Sequence, residues 1–174
     1  MSCRHGFQCW SACVIAALLG SLYAPTAPAE DLFAGTWELR PEESKYLHGD
    51  LPESMTIRLE SSEQGEHYIS RTVRQNKQVA TAEYTAAYDG SLAMVLGDAG
   101  LLAPVSLRRI DDYTVEATYQ RAFHVVARTR RVISSDGLTM TLATTDGGTN
   151  GDVNVSVFKK RPPVSVRPQH GQSQ

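Results

Sequence analysis

Residues 54–60, Ser54-Met55-Thr56-Ile57-Arg58-Leu59-Glu60, alternate apolar and polar without interruption. Met55, Ile57 and Leu59 fall on one side of an extended chain, and Thr56, Arg58 and Glu60 on the other. A period of two belongs to a strand with one buried face, because successive side chains of a pleated chain point to opposite sides. The pattern recurs in both directions. It predicts strands over residues 36–39, 68–74, 79–88, 105–110, 114–120, 124–133, 139–145 and 153–160. Between them lie turns of the kind that join hairpins: residues 61–66 with Gly65, Gln75-Asn76-Lys77-Gln78, Asp89-Gly90, Asp111-Asp112, Arg121-Ala122, Ser135-Asp136-Gly137 and residues 146–152. No stretch between them carries a helical period.

Strands with one apolar face bury those faces against each other. A meander does so by curling into an up-and-down antiparallel barrel or by folding into two packed sheets. Hairpin-length links and the lack of a long crossover favour a single all-β barrel of about eight to nine strands. Residues 91–104 are the exception, broken by Gly97, Gly100 and Pro104 into a Leu/Ala-rich loop with one irregular strand around 93–96.

The chain has 174 residues, 41% hydrophobic and 21% charged, with a formal charge of −2. That balance is globular, and it argues against a disordered chain or a nucleic-acid specialist. Arg4 and His5, the apolar run at 12–19 and the small-x-small triplet Ala27-Pro28-Ala29 read as a cleavable export signal over residues 1–29. The run is too short to span a bilayer. The expected location is therefore the periplasm or the outside of the cell, with cleavage after Ala29 and no transmembrane segment in the mature protein. Cys3, Cys9 and Cys13 all lie in that leader, so the mature chain would have no disulfide, thiolate nucleophile or cysteine-ligated metal. One domain is expected over residues 30–160. The Pro, Gln, Ser and Gly of residues 161–174 predict a disordered tail.

The opening of the domain, Phe33-Ala34-Gly35-Thr36-Trp37-Glu38-Leu39, resembles the first strand of lipocalins and fatty-acid-binding proteins, with its Gly-x-Trp. The resemblance implies that the indole of Trp37 plugs one barrel end, crossed by a basic residue from the last strand: Lys159, Lys160 or Arg161. Residues 44–46, 88–90, 107–111, 114–116, 135–141 and 154–160 extend a similarity to exported bacterial lipocalin-like (calycin-type) proteins. Fatty-acid-binding proteins insert a two-helix lid after the first strand. Residues 40–53, with Pro41, Gly49 and Pro52, are too short and too broken for one.

Catalytic and metal signatures are missing from the pattern. His48, His67, His124 and His170 stand far apart, and residues 146–152 lack the acidic twelfth ligand of a calcium loop. Asp111-Asp112 reads as turn chemistry, and Glu83 and Glu116 as strand acids. No nucleophile elbow or phosphate-cradling loop occurs. We therefore expect neither an enzyme nor a bound cofactor or metal. Arg108, Arg109, Arg121, Arg128, Arg130 and Arg131 are half offset by Asp111, Asp112 and Glu116, and read as a solvated outer face.

Three arginines nevertheless alternate with apolar residues: Arg109 with Val105 and Leu107, Arg71 with Ile69 and Val73, Arg131 with Val125, Ala127 and Ile133. A guanidinium facing a barrel interior needs an anion or water. Such residues either receive the head of a fatty acid or similar amphiphile, with Tyr84, Tyr88 and Tyr119 beside them, or sit at strand ends and snorkel to solvent. The expected function is binding of an apolar or amphiphilic small molecule in the lumen of a monomer, with Trp37, Arg71, Tyr84, Tyr88, Arg109, Tyr119 and Arg131 as the site. The alternative is a protein-interaction barrel, resembling exported protease inhibitors, that contacts its partner through residues 40–53 and 91–104. No nucleic-acid partner is expected.

Overall fold

Each predicted strand finds its chain neighbour. The computed structural model describes residues 31–98, 102–147 and 153–162. The leader, its cleavage position, residues 148–152 and the tail from residue 163 lie outside the described residues, and so do the expectations that concern them. The strands are β1 (Gly35–Leu39), β2 (Ser54–Ser62), β3 (Gly65–Val73), β4 (Val79–Ala86), β5 (Asp89–Ala93) and β6 (Leu96–Gly97). Beyond these lie β7 (Val105–Asp111), β8 (Thr114–Arg121), β9 (His124–Ile133), β10 (Thr139–Asp146) and β11 (Val153–Lys160). Besides strands, the described residues hold one 3-10 turn at Pro41–Glu43. No helix among them is long and apolar enough to cross a membrane.

All pairs are antiparallel and form one sheet in the order β5-β7-β8-β9-β10-β11-β1-β2-β3-β4-β6, curled into a half-barrel. Nine of its strands are those expected. The additional pair comes from residues 89–97, whose Asp89-Gly90 opens β5 instead of closing the preceding strand. Strands of five and two residues, rich in Gly and Ser, are too short to show a period of two. They form the two edges of the ladder, β5 on β7 and β6 on β4. Only Met94 and the buried Val95 separate them, so the chain itself crosses from one edge to the other.

Register sets apolar against apolar on the concave side. Ile57 lies opposite Trp37, Leu59 opposite Tyr68, and Met140 opposite both Ile133 and Phe158. Trp37, Ile57, Val105, Leu107, Met140 and Phe158 are completely buried. Each large apolar side chain removed from water contributes about 1.5–3 kcal/mol. Alternating chain direction gathers residues 31–34 with the β2–β3, β4–β5, β7–β8 and β9–β10 turns at one end. The opposite end carries residues 40–53 and the β3–β4 and β8–β9 turns.

Candidate functional site

The site is built where residues 31–34 close the barrel end below Trp37. The indole Nε1 donates to the Phe33 carbonyl oxygen at 2.9 Å. Lys160 Nζ lies 5.2 Å from the Trp37 ring centroid and donates to the Leu32 carbonyl at 3.1 Å. Of the three basic residues open to that role, the fold selects Lys160, because strand alternation turns it inward while Lys159 bonds Thr139 and Arg161 pairs with Glu38.

Phe33, 1% exposed, sits between two guanidinium groups: Arg109 Cζ is 5.4 Å and Arg131 Cζ 5.7 Å from its ring centroid. From them runs a chain of charge-assisted hydrogen bonds. Arg109 Nη2 donates to Asp31 Oδ2 at 2.8 Å and to the Tyr88 hydroxyl at 3.0 Å. Tyr88 in turn donates to Glu66 Oε2 at 3.1 Å. Arg131 Nη2 reaches Glu66 Oε1 at 2.8 Å, and the Tyr84 hydroxyl reaches the same oxygen at 3.4 Å. Two carboxylates and two guanidiniums thus alternate from the surface to the interior and cancel in charge. Arg131 and Glu66 side chains are each 2% exposed. Arg131 Nε and Nη1 have no hydrogen-bond partner among the described residues.

The electrostatics follow from this lattice. Burial acts to raise the Asp31 pKa, but hydrogen bonds from Ser61, Arg109 and the Phe33 N–H outweigh it and hold the carboxyl below its usual value. Burial works against the charge on Arg109 and Arg131, yet their carboxylate partners more than restore it, so both stay protonated. Burial, reinforced by the Glu66 charge, pushes the Tyr88 phenol up to about 12. Burial also raises Tyr84, Tyr68 and Tyr119, with Tyr68 and Tyr84 stacked at 4.7 Å and 4° between planes.

The structure therefore brings together Trp37, Tyr84, Tyr88, Arg109 and Arg131, with Tyr119 beside Tyr84 and Arg131. Arg71 does not join them. It is exposed on the convex face of β3, and the buried set Glu66, Tyr68 and Ser70 lies on the opposite face. Three central residues were not found from the sequence: Asp31, Phe33 and Glu66. The turn expected over residues 61–66 includes Glu66, but β3 begins at Gly65 and sets Glu66 in phase with Tyr68 and Ser70. Gly65 permits this tight start, for its φ is +114° and a Cβ there would collide with the Ala86 carbonyl.

Outside this network, toward solvent, lies a cleft of about 780 Å³. Leu32, Ala87, Tyr88 and Tyr113 give it apolar walls, and Arg109, Asp31, Glu63 and Asp112 line it with charge. At the other barrel end residues 40–53 are tied down. Tyr46 and Ser156 hydroxyls meet at 2.7 Å, Lys45 and Val155 bridge through their backbones, and Asn154 accepts from the Leu47 N–H and donates to the His48 carbonyl. Among the described residues no group of three or more His, Cys, Asp or Glu side chains is placed to hold a metal ion. Comparison with models of protein families and with curated proteins finds no match.

Proposed function

We propose that the protein binds a small amphiphilic molecule, and that the cleft beside Arg109 and Tyr88 receives it. The observation that carries this reading is the cleft itself: about 780 Å³, walled by Leu32, Ala87, Tyr88 and Tyr113 around one guanidinium edge. Concave, largely apolar sites with a few convergent polar groups are the usual form of a small-molecule pocket. The interior behind it is filled at this level by Phe33 and the Arg131–Glu66 pair, so the ligand rests on the network without replacing it. The lipocalin-like resemblance supports a carrier or binding role in preference to chemistry on the ligand.

The charge pattern narrows the head group. Asp31 already neutralises Arg109, and Glu63 and Asp112 add negative charge to the same cleft. A hydroxyl or carbonyl accepts from the guanidinium without leaving an unpaired charge, whereas a fatty-acid carboxylate meets like charge. Ligand bound only by the folded state raises the melting temperature by mass action. We expect medium-chain alcohols or monoacylglycerols to raise Tm more than the matched fatty acids. Substitution of the half-exposed Tyr113→Ala should weaken ligand binding about tenfold, the loss expected for one aromatic wall, so that about tenfold more ligand is needed for the same Tm shift. If no member of the panel shifts Tm, or if Tyr113→Ala leaves the shift intact, the reading fails.

A further inference from the structure

The β8–β9 hairpin turns on two residues, Ala122 and Phe123, between the register partners Arg121 and His124. Both adopt left-handed backbone, φ +48° and +68°, where glycine or asparagine ordinarily sits in a two-residue hairpin loop. Phe123 is 99% exposed. A bulky side chain held exposed in left-handed backbone is strain of the kind that clusters at functional sites.

Its surroundings say what. Register places Leu92, Ser106, Thr118 and Arg128 in one row on the convex face, and Arg108, Glu116 and Arg130 in the next. Arg108, Arg121 and Arg128 are exposed and have no ion-pair partner among the described residues. Arg130 is paired with Glu116 at 3.0 Å, and Asp89, opposite Arg108 in register, takes the Ser91 N–H. Beside this basic face the edge strands and the link between them expose Leu92, Met94 and Leu96.

We propose that the convex face of β7–β9, with Phe123 at its tip, docks on an anionic lipid bilayer. Unpaired arginines meet anionic head groups, while a protruding aromatic ring and neighbouring aliphatic side chains enter the interfacial layer, the division of labour of peripheral membrane anchors. An isolated ring on a hairpin tip suits insertion into a fluid layer better than a preformed protein pocket, and the face lacks the interleaved aromatics of a nucleic-acid platform. This surface lies apart from the Arg109 cleft and does not depend on it.

The test is co-sedimentation of the full chain with vesicles of phosphatidylglycerol and phosphatidylethanolamine, against vesicles of phosphatidylcholine alone. Expected are retention on the anionic vesicles, release by raised salt, and little retention on phosphatidylcholine. Phe123→Gly should lower retention at least tenfold, and so should the pair Arg121→Gln with Arg128→Gln. Glycine suits the φ of position 123, so the loss cannot come from misfolding, and an unchanged or higher Tm shows this directly. Tyr113→Ala should retain full vesicle binding. Equal retention of Phe123→Gly and the parent chain, retention indifferent to lipid charge, or capture of a protein through Phe123 without vesicle binding would each overturn the proposal.

Discussion

Glu66 and Arg131 stake the interior on one ion pair. Removing either partner strands a charge in a dry environment, at a typical cost of about 3–5 kcal/mol, whereas replacing both with apolar side chains of similar volume is often neutral or stabilising. Here the second outcome is favoured further, because Arg131 Nε and Nη1 are already without partners among the described residues and each buried unsatisfied donor costs about 1–3 kcal/mol. Denaturant unfolding of Glu66→Gln should therefore show a loss of about 3–5 kcal/mol. The double variant Glu66→Leu with Arg131→Met should unfold at or above the parent midpoint. A double variant as damaged as the single one would show that the pair contributes net stability.

Among the strands, pairing follows chain neighbours, and the stability of each hairpin depends on how its turn fits the strand twist. The β2–β3 turn is served by a glycine at φ +114°, while the β8–β9 turn places alanine and phenylalanine in left-handed backbone. Such strain costs on the order of 1 kcal/mol per residue, partly offset by the greater freedom that glycine has when unfolded. Phe123→Gly should thus raise stability by up to about 1 kcal/mol, seen as a Tm higher by a few degrees. A lower Tm would mean that the ring packs on its own fold. The edge strands β5 and β6 are short, and the chain crossing at Met94-Val95 ties their ends together, which limits the open edge offered to other chains.

For the molecule as a whole, stability against pH has two limbs. Asp31, Asp89 and Asp136 have folded pKa values below the unfolded one, so the unfolded chain binds protons first. Their contribution is present above about pH 4 and is lost as pH falls through the lower folded values. Tyr68, Tyr84, Tyr88 and Tyr119 have raised values. Their contribution is complete below about pH 10 and is lost as pH rises above it. A plateau between these limits is expected in melts across pH, with tyrosinate absorbance rising together with unfolding on the alkaline side. Titration of these four phenols well below the unfolding midpoint, followed in a Tyr113→Phe background that removes the half-exposed ring, would contradict their burial. Strand identity was legible in the sequence because a period of two is a local property, readable from residues such as Met55, Ile57 and Leu59 alone. Arg109 and Arg131 stood out for the same reason, as charges in phase with apolar neighbours. The inner face of β3 was not legible: Ile69, Arg71 and Val73 look as apolar as Glu66, Tyr68 and Ser70. The second set turns inward because register places Tyr68 opposite Leu59 and Ser70 opposite Ile57, and its one charge is met by Arg131, 65 residues later in the chain. Likewise Asp31 and Arg109 meet across 78 residues. Local alternation determined that this chain forms an antiparallel sheet with one buried side. Only closure of that sheet could decide which charges neutralise each other inside it, because a buried charge is stabilised by the partner that arrives in space and not by its neighbours in sequence.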